Sequence, residues 1–84
     1  MTTPLKTHIL IADDHPIVLN GLRTVLNAQA DLQVVAQATD GEQAVERALS
    51  EDIHLAILDI SMPRKTGLQA AREITHRKPE VRVG

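Results

Sequence analysis

His8-Ile9-Leu10-Ile11-Ala12-Asp13-Asp14-His15-Pro16 is the stretch on which the fold turns. Residues 8–12 carry apolar side chains at nearly every position, as a strand covered on both faces of a parallel sheet requires. The run stops at an acidic pair. Pro16 then suits the first turn of a helix, where its missing N–H is no loss, and Asp14 or His15 stands where a cap belongs. Strand, acidic turn and helix make the opening of a β-α unit, and the remainder of the chain repeats that plan.

Val18, Leu22, Val25 and Leu26 recur at helical spacing and predict the apolar stripe of a helix over residues 16–29. Leu32-Gln33-Val34-Val35-Ala36 predicts a second strand, and its glutamines suit a sheet edge. Asp40-Gly41-Glu42-Gln43 is a capping-box pattern, followed by Ala44, Val45, Ala48 and Leu49 as the inner face of a second helix. Leu55-Ala56-Ile57-Leu58 predicts a third strand ending at Asp59. Thr66-Gly67-Leu68-Gln69 repeats the capping-box pattern, with Leu68, Ala71 and Ile74 expected to face inward and Pro79 to stop the helix. Val81-Arg82-Val83 begins a fourth strand. This β-α-β-α-β-α-β order predicts an α/β, doubly wound parallel sheet joined by right-handed crossovers.

Composition narrows the function. At 84 residues the chain has room for one small domain, read as a tail over residues 1–7 and a globular part over 8–84. It has no Phe, Trp or Tyr, so no aromatic platform exists for stacking nucleic-acid bases. A net charge of −2 provides no footprint for nucleic acid or an anionic membrane. With no cysteine, disulfides and thiolate–metal sites are excluded. The first residues lack a signal-peptide pattern, and no apolar run is long enough to span a bilayer, so a soluble cytoplasmic protein is expected.

In open α/β sheets, ligands bind beyond the carboxyl ends of the strands, where the strand order reverses. Asp13 and Asp14 close the first strand and Asp59 closes the third. Were those strands neighbours, three carboxylates would repel one another by several kcal/mol at an effective dielectric of ~20. An oxygen-seeking divalent cation offsets that repulsion, and a cluster without Cys or His ligands favours Mg²⁺ over Zn²⁺. Each carboxylate taken alone has a plainer reading as a helix cap. Their combination is what points to a site.

Ile11-Ala12-Asp13-Asp14-His15-Pro16 resembles the acidic-pair segment of response-regulator receiver domains. Leu58-Asp59-Ile60-Ser61-Met62-Pro63, with Gly67 after it, resembles the segment around their phosphoacceptor. The likeness covers residues 7–84, and Asp-Asp-His-Pro followed by Gly21-Leu22-Arg23 is similar to the NarL/FixJ-type subclass. It implies the CheY-like, flavodoxin-like strand order 2-1-3-4-5, here incomplete, with about four strands and three helices. It further implies that Asp59 is the phosphoacceptor, that Asp13, Asp14 and Asp59 hold Mg²⁺, and that Ser61 lends its backbone carbonyl. The implied partner is a sensor histidine kinase, and the implied output is DNA binding through a C-terminal helix-turn-helix outside this segment. The implied chemistry is that of a phosphoacceptor rather than a turnover enzyme.

The resemblance also implies elements that a receiver carries beyond Gly84: a Ser or Thr ending strand four, a fifth strand ending in Lys, and two more helices. On that expectation the chain is a partial receiver with an Mg²⁺ half-site, and its uncovered apolar faces favour a homodimer or other self-association. Two rival readings stay open at this level. A receiver-like interaction module would never be phosphorylated. A haloacid-dehalogenase-type phosphatase would need a second Asp two residues after the nucleophile, where Ser61 stands. Arg64 and Lys65 depart from the small or acidic residues frequent in this loop of the family, and read either as a lure for a phosphorylated donor or, more plainly, as a solvated basic pair. The four histidines look scattered, with His15 alone near the acidic pair and read as helix-start packing.

Overall fold

A computed structural model describes residues 5–84. Of the expected tail, residues 1–4 lie outside the described residues, and Thr7 already belongs to the first strand. The elements in chain order are β1 (Thr7–Ala12), α1 (Pro16–Asn27), β2 (Leu32–Ala38), α2 (Gly41–Ser50), β3 (Leu55–Leu58), α3 (Gly67–Arg77) and β4 (Arg82–Val83). All strand pairs are parallel and the sheet order is β2-β1-β3-β4, which puts β2 at an edge as its glutamines suggested. Among the described residues no helix is long and apolar enough to cross a membrane.

Alternation along β1 divides the core in two, because successive side chains of a strand point to opposite faces. Leu10 and Ala12 pack with Ala44, Val45 and Ala48 of α2 and with Ala70 and Ile74 of α3. Ile9 and Ile11 pack on the other face with Leu19, Leu22 and Leu26 of α1. One helix therefore covers one face and two cover the other, which is the doubly wound arrangement.

Two helices present different faces from those their sequence patterns suggest. On α1 the inner line is Leu19, Leu22 and Leu26, whereas Val18 and Val25 are 42% and 63% exposed. Residues 18 and 25 form the neighbouring ridge, one step around the helix, and share the outer surface with Ile17. On α3 the inner line is Gly67, Ala70 and Ile74, with Ala71 half-buried, while Leu68 is 60% exposed. Starting the inner stripe at the small residue Gly67 lets the helix approach the sheet more closely than a stripe started at Leu68.

The two cap motifs differ in completeness. At α3 the box is closed: Gln69 N–H donates to the Thr66 hydroxyl at 3.2 Å, and Thr66 N–H donates to the Gln69 side-chain oxygen at 2.9 Å. At α2, Gln43 N–H donates to Asp40 at 2.8 Å, but the Gln43 side-chain oxygen reaches one residue further back, to the Thr39 N–H at 3.2 Å. Pro79 lies just past the end of α3, where the Lys78 amide donates to Ile74.

Candidate functional site

The register of β1 and β3 builds the site. Ala12 pairs with Leu58, so the residues that follow, Asp13 and Asp59, leave adjoining strands at the same level. Their backbones are fixed by the sheet: Asp59 N–H donates to the Ala12 carbonyl at 2.9 Å, and Asp13 N–H to the Ala38 carbonyl at 3.1 Å. The expected convergence is present. One ligand atom from each of Asp13, Asp14, His15 and Asp59 lies within 4.8 Å of the others. Asp13 and Asp59 are half-buried; Asp14 and His15 are exposed.

His15 takes a larger part than helix-start packing. It is the N-cap residue of α1 by position, yet its side chain makes no capping bond. Its ring turns instead to the carboxylates, with Nδ1 2.7 Å from Asp13 Oδ1 and 3.0 Å from Asp14 Oδ1, while its backbone N–H donates to Asp13 Oδ1 at 2.9 Å. The hydrogen bond that the ring donates to Asp13, and then the negative charges of Asp14, Asp13 and Asp59, raise the imidazole pKa above its ordinary value. The cluster thus favours the protonated form of His15, whose charge would offset part of the carboxylates' mutual repulsion. Apart from that ring, the donors are carboxylate oxygens, a set that fits a hard divalent cation.

The loop after Asp59 is fastened at several points. Met62 is buried in the core with α2 and α3 residues, while Ser61, two residues beyond Asp59, is exposed. Gly67 N–H donates to the Ile60 carbonyl at 3.0 Å, and a Cβ on Gly67 would stand 2.0 Å from the Asp59 carbonyl oxygen. Only glycine permits that approach.

Arg64 and Lys65 each form an ion pair, although the Arg64 side chain remains 64% exposed. Arg64 adopts φ +65°, in the left-handed region, and its Nη1 lies 2.7 Å from the carboxylate of Asp40, which is only 3% exposed. The Gln43 backbone hydrogen bond, reinforced by the Arg64 guanidinium, holds the Asp40 carboxyl below the ordinary carboxylate range. Lys65 pairs with Glu73 of α3 and lowers the pKa of that carboxyl too. The backbone of Lys65 also lies against α2, since a Cβ on Gly41 would stand 1.8 Å from the Lys65 carbonyl oxygen. Sequence reasoning had no access to the Asp40–Arg64 pair, because its members are 24 residues apart with no pattern linking them.

A parallel sheet in this order, with acidic residues at the tips of its first and third strands, defines the CheY-like receiver class. A family model for the response regulator receiver domain matches residues 9–84, and the chain belongs to that family. It is 36% identical over 78 residues to the transcriptional regulatory protein DegU of Brevibacillus brevis, covering 93% of this chain and 33% of the relative. Among solved structures, the signal receiver domain of the NarL response regulator from Mycobacterium tuberculosis superposes with a TM-score of 0.90 at 31% identity, over 95% of this chain and 64% of that one. The CheX–CheY–BeF₃–Mg²⁺ complex from Borrelia burgdorferi matches with a TM-score of 0.87 at 26% identity, over 94% of this chain and 60% of that one. The chain spans about a third of the length of the curated relatives it matches.

Proposed function

We propose that this chain forms part of a receiver module in which Asp59 takes a phosphoryl group from a sensor histidine kinase. The observation that carries this reading is the meeting of Asp13, Asp14 and Asp59 at the tips of β1 and β3. Asp13, Asp14 and Asp59, with the Ser61 backbone carbonyl, would hold Mg²⁺, which neutralises charge on the phosphoryl oxygens when bound. A carboxylate oxygen of Asp59 attacks phosphorus, a P–O bond forms, and the P–N bond to the kinase histidine breaks. The chain's own contribution is positioning, which dominates phosphoryl transfer. The sheet hydrogen bond from Asp59 N–H and the close seat of Gly67 fix the nucleophile's backbone.

The same reading makes the module a phosphoacceptor of a cytoplasmic two-component system rather than a turnover enzyme. Its output would be transcriptional, as the name of the DegU relative states for that protein. The Mg²⁺ in the CheY complex supports the metal assignment. Ile60 and Leu68, exposed at 62% and 60% beside the β4 edge, favour self-association of this segment.

The test is to incubate the protein with Mg²⁺ and a radiolabelled acyl phosphate, alone and as part of a longer chain carrying a complete receiver. Label on Asp59 that is lost in Asp59→Asn and on removal of Mg²⁺ is the expected result. If the longer chain takes up no label, the binding-only reading replaces this one. Steady release of phosphate from esters would instead revive a hydrolase.

A further inference from the structure

The sheet gathers a second set of metal-ligating side chains at its other end. His8 and His54 stand side by side where β1 and β3 begin, their ring centroids 5.0 Å apart. His8 N–H donates to His54 Nδ1 at 2.8 Å, and His54 N–H donates to the His8 carbonyl at 2.9 Å. Asp52 completes the group, with His8 Nδ1 2.9 Å from its carbonyl oxygen and 3.6 Å from its carboxylate Oδ2. One ligand atom from each of the three lies within 4.8 Å of the others.

We propose that His8, His54 and Asp52 form a binding site for a first-row transition-metal ion, with Zn²⁺ the best fit. Two imidazoles and a carboxylate suit zinc, and a fourth position remains for water. Around a tetrahedral zinc, ligand atoms sit roughly 3.3 Å apart, given metal–ligand bonds near 2 Å. The ligand atoms, within 4.8 Å of one another, therefore have to close to that spacing, and the Asp52 side chain, 82% exposed, is the one with room to swing inward.

The ring hydrogen bonds define what each histidine offers. With Nδ1–H given to the Asp52 carbonyl, the unprotonated nitrogen of His8 is Nε2, whereas Asp52 Oδ2 lies 3.6 Å from Nδ1, so joint coordination with Asp52 requires either release of that proton and hydrogen bond at Nδ1 or a turn of the ring that brings Nε2 to the carboxylate. His54 Nδ1 uses its lone pair to accept the His8 amide, so coordination there exchanges one hydrogen bond for the metal. The donor sets differ: two imidazoles and one carboxylate here favour a borderline cation, whereas three carboxylates with a single imidazole, His15, favour a hard one. A metal here ties the start of β1 to that of β3 and stabilises the folded chain by linkage. Nothing in this inference depends on phosphorylation of Asp59.

The experiment is a Zn²⁺ titration of the whole chain in excess Mg²⁺, read by the ring-proton NMR signals of its four histidines and by calorimetry. One equivalent is expected to bind, shifting the His8 and His54 signals, leaving His76 unmoved and raising the thermal midpoint. His8→Gln and His54→Gln should each weaken binding by about tenfold or more, whereas His76→Gln should not. Co²⁺ should give the intense visible absorption of four-coordination. Ring signals of His8 and His54 that stay fixed at one equivalent, or that move only together with His76, overturn the site. So does unchanged affinity in both glutamine variants. Because the NMR reading uses the unaltered chain, a variant that fails to fold does not protect the proposal.

Discussion

Gly67→Ala tests whether backbone contact with α3 sets the position of Asp59. The added Cβ would lie 2.0 Å from the Asp59 carbonyl oxygen, 2.8 Å from its carbonyl carbon and 3.0 Å from the Ile60 Cα. Contacts of a Cβ closer than 3.0 Å essentially do not occur, so the first turn of α3 and the end of β3 must separate by about 1 Å. The Asp59 amide is held to Ala12, and Gly67 N–H to Ile60, so neither side yields without losing a hydrogen bond. Overpacking of this kind costs ~1–3 kcal/mol of stability. A displacement of ~1 Å at a reacting carboxylate can slow chemistry by ~10²-fold. Gly21→Ala is the matched control: it lies within α1, nothing among the described residues stands within 4 Å of its added Cβ, and it should stabilise by ~0.5–1 kcal/mol. Urea unfolding of both variants, with a Mg²⁺ titration of Gly67→Ala, checks the pair. Should Gly67→Ala unfold at the parent's midpoint and bind Mg²⁺ equally well, the contact does not position Asp59.

Further expectations rest on other parts of the molecule. Asp59→Asn should stabilise the metal-free chain, by removing one of three converging negative charges, and, on the proposed function, should weaken the rise in thermal midpoint expected on adding Mg²⁺. Equal Mg²⁺ shifts in parent and variant would count against the carboxylate cluster as the metal site. Ile74→Ala, at a fully buried position between α3 and the sheet, should lower stability by ~2–5 kcal/mol in chemical denaturation. Asp40 is held below its ordinary value of 3.8 in the fold, so its contribution to stability is complete above that pH and is lost as pH falls through the depressed value. Asp40→Asn should therefore flatten the acid limb of the stability–pH curve and lower stability near neutrality. A variant with the parent's acid limb would show that the Asp40–Arg64 pair contributes nothing.

Elements whose patterns are local were readable from the chain alone. The apolar run of β1, the strand-ending Asp59 and the Thr66–Gln69 box each stand as their residues suggest. Helix faces were less readable where apolar residues form two adjacent ridges. On α1, residues 17, 18, 19, 22, 25 and 26 are all apolar, so spacing cannot choose between Val18–Val25 and Leu19–Leu26; packing against Ile9 and Ile11 makes the choice. On α3 the small residue Gly67 carries the inner stripe, and no hydropathy pattern marks a glycine as the buried position. At the site, the three carboxylates were readable because strand ends and sheet order place them. The contacts of His15, Arg64 and Lys65 were not, because each depends on a ring or side-chain direction that only the folded loops determine.

Those same loop contacts explain how so small a domain could hold like charges in register. The three carboxylates would push the tips of β1 and β3 apart, and backbone hydrogen bonds oppose that push. Asp13 is tied to β2, Asp59 to β1, and Gly67 to Ile60, so each acidic residue or its neighbour is held by a bond that its own titration leaves intact. Around them stands a ring of opposite pairings. His15 contacts Asp13 and Asp14, Arg64 reaches from the Asp59 loop to buried Asp40 at the start of α2, and Lys65 reaches to Glu73 on α3. The loop that carries Asp59 is thus clamped to both helices of one face while its acid end stays open. A side chain that never meets a ligand, such as Arg64 or Asp40, then affects the crevice by moving that clamp, and its substitution should alter Mg²⁺ affinity even though the three carboxylates remain.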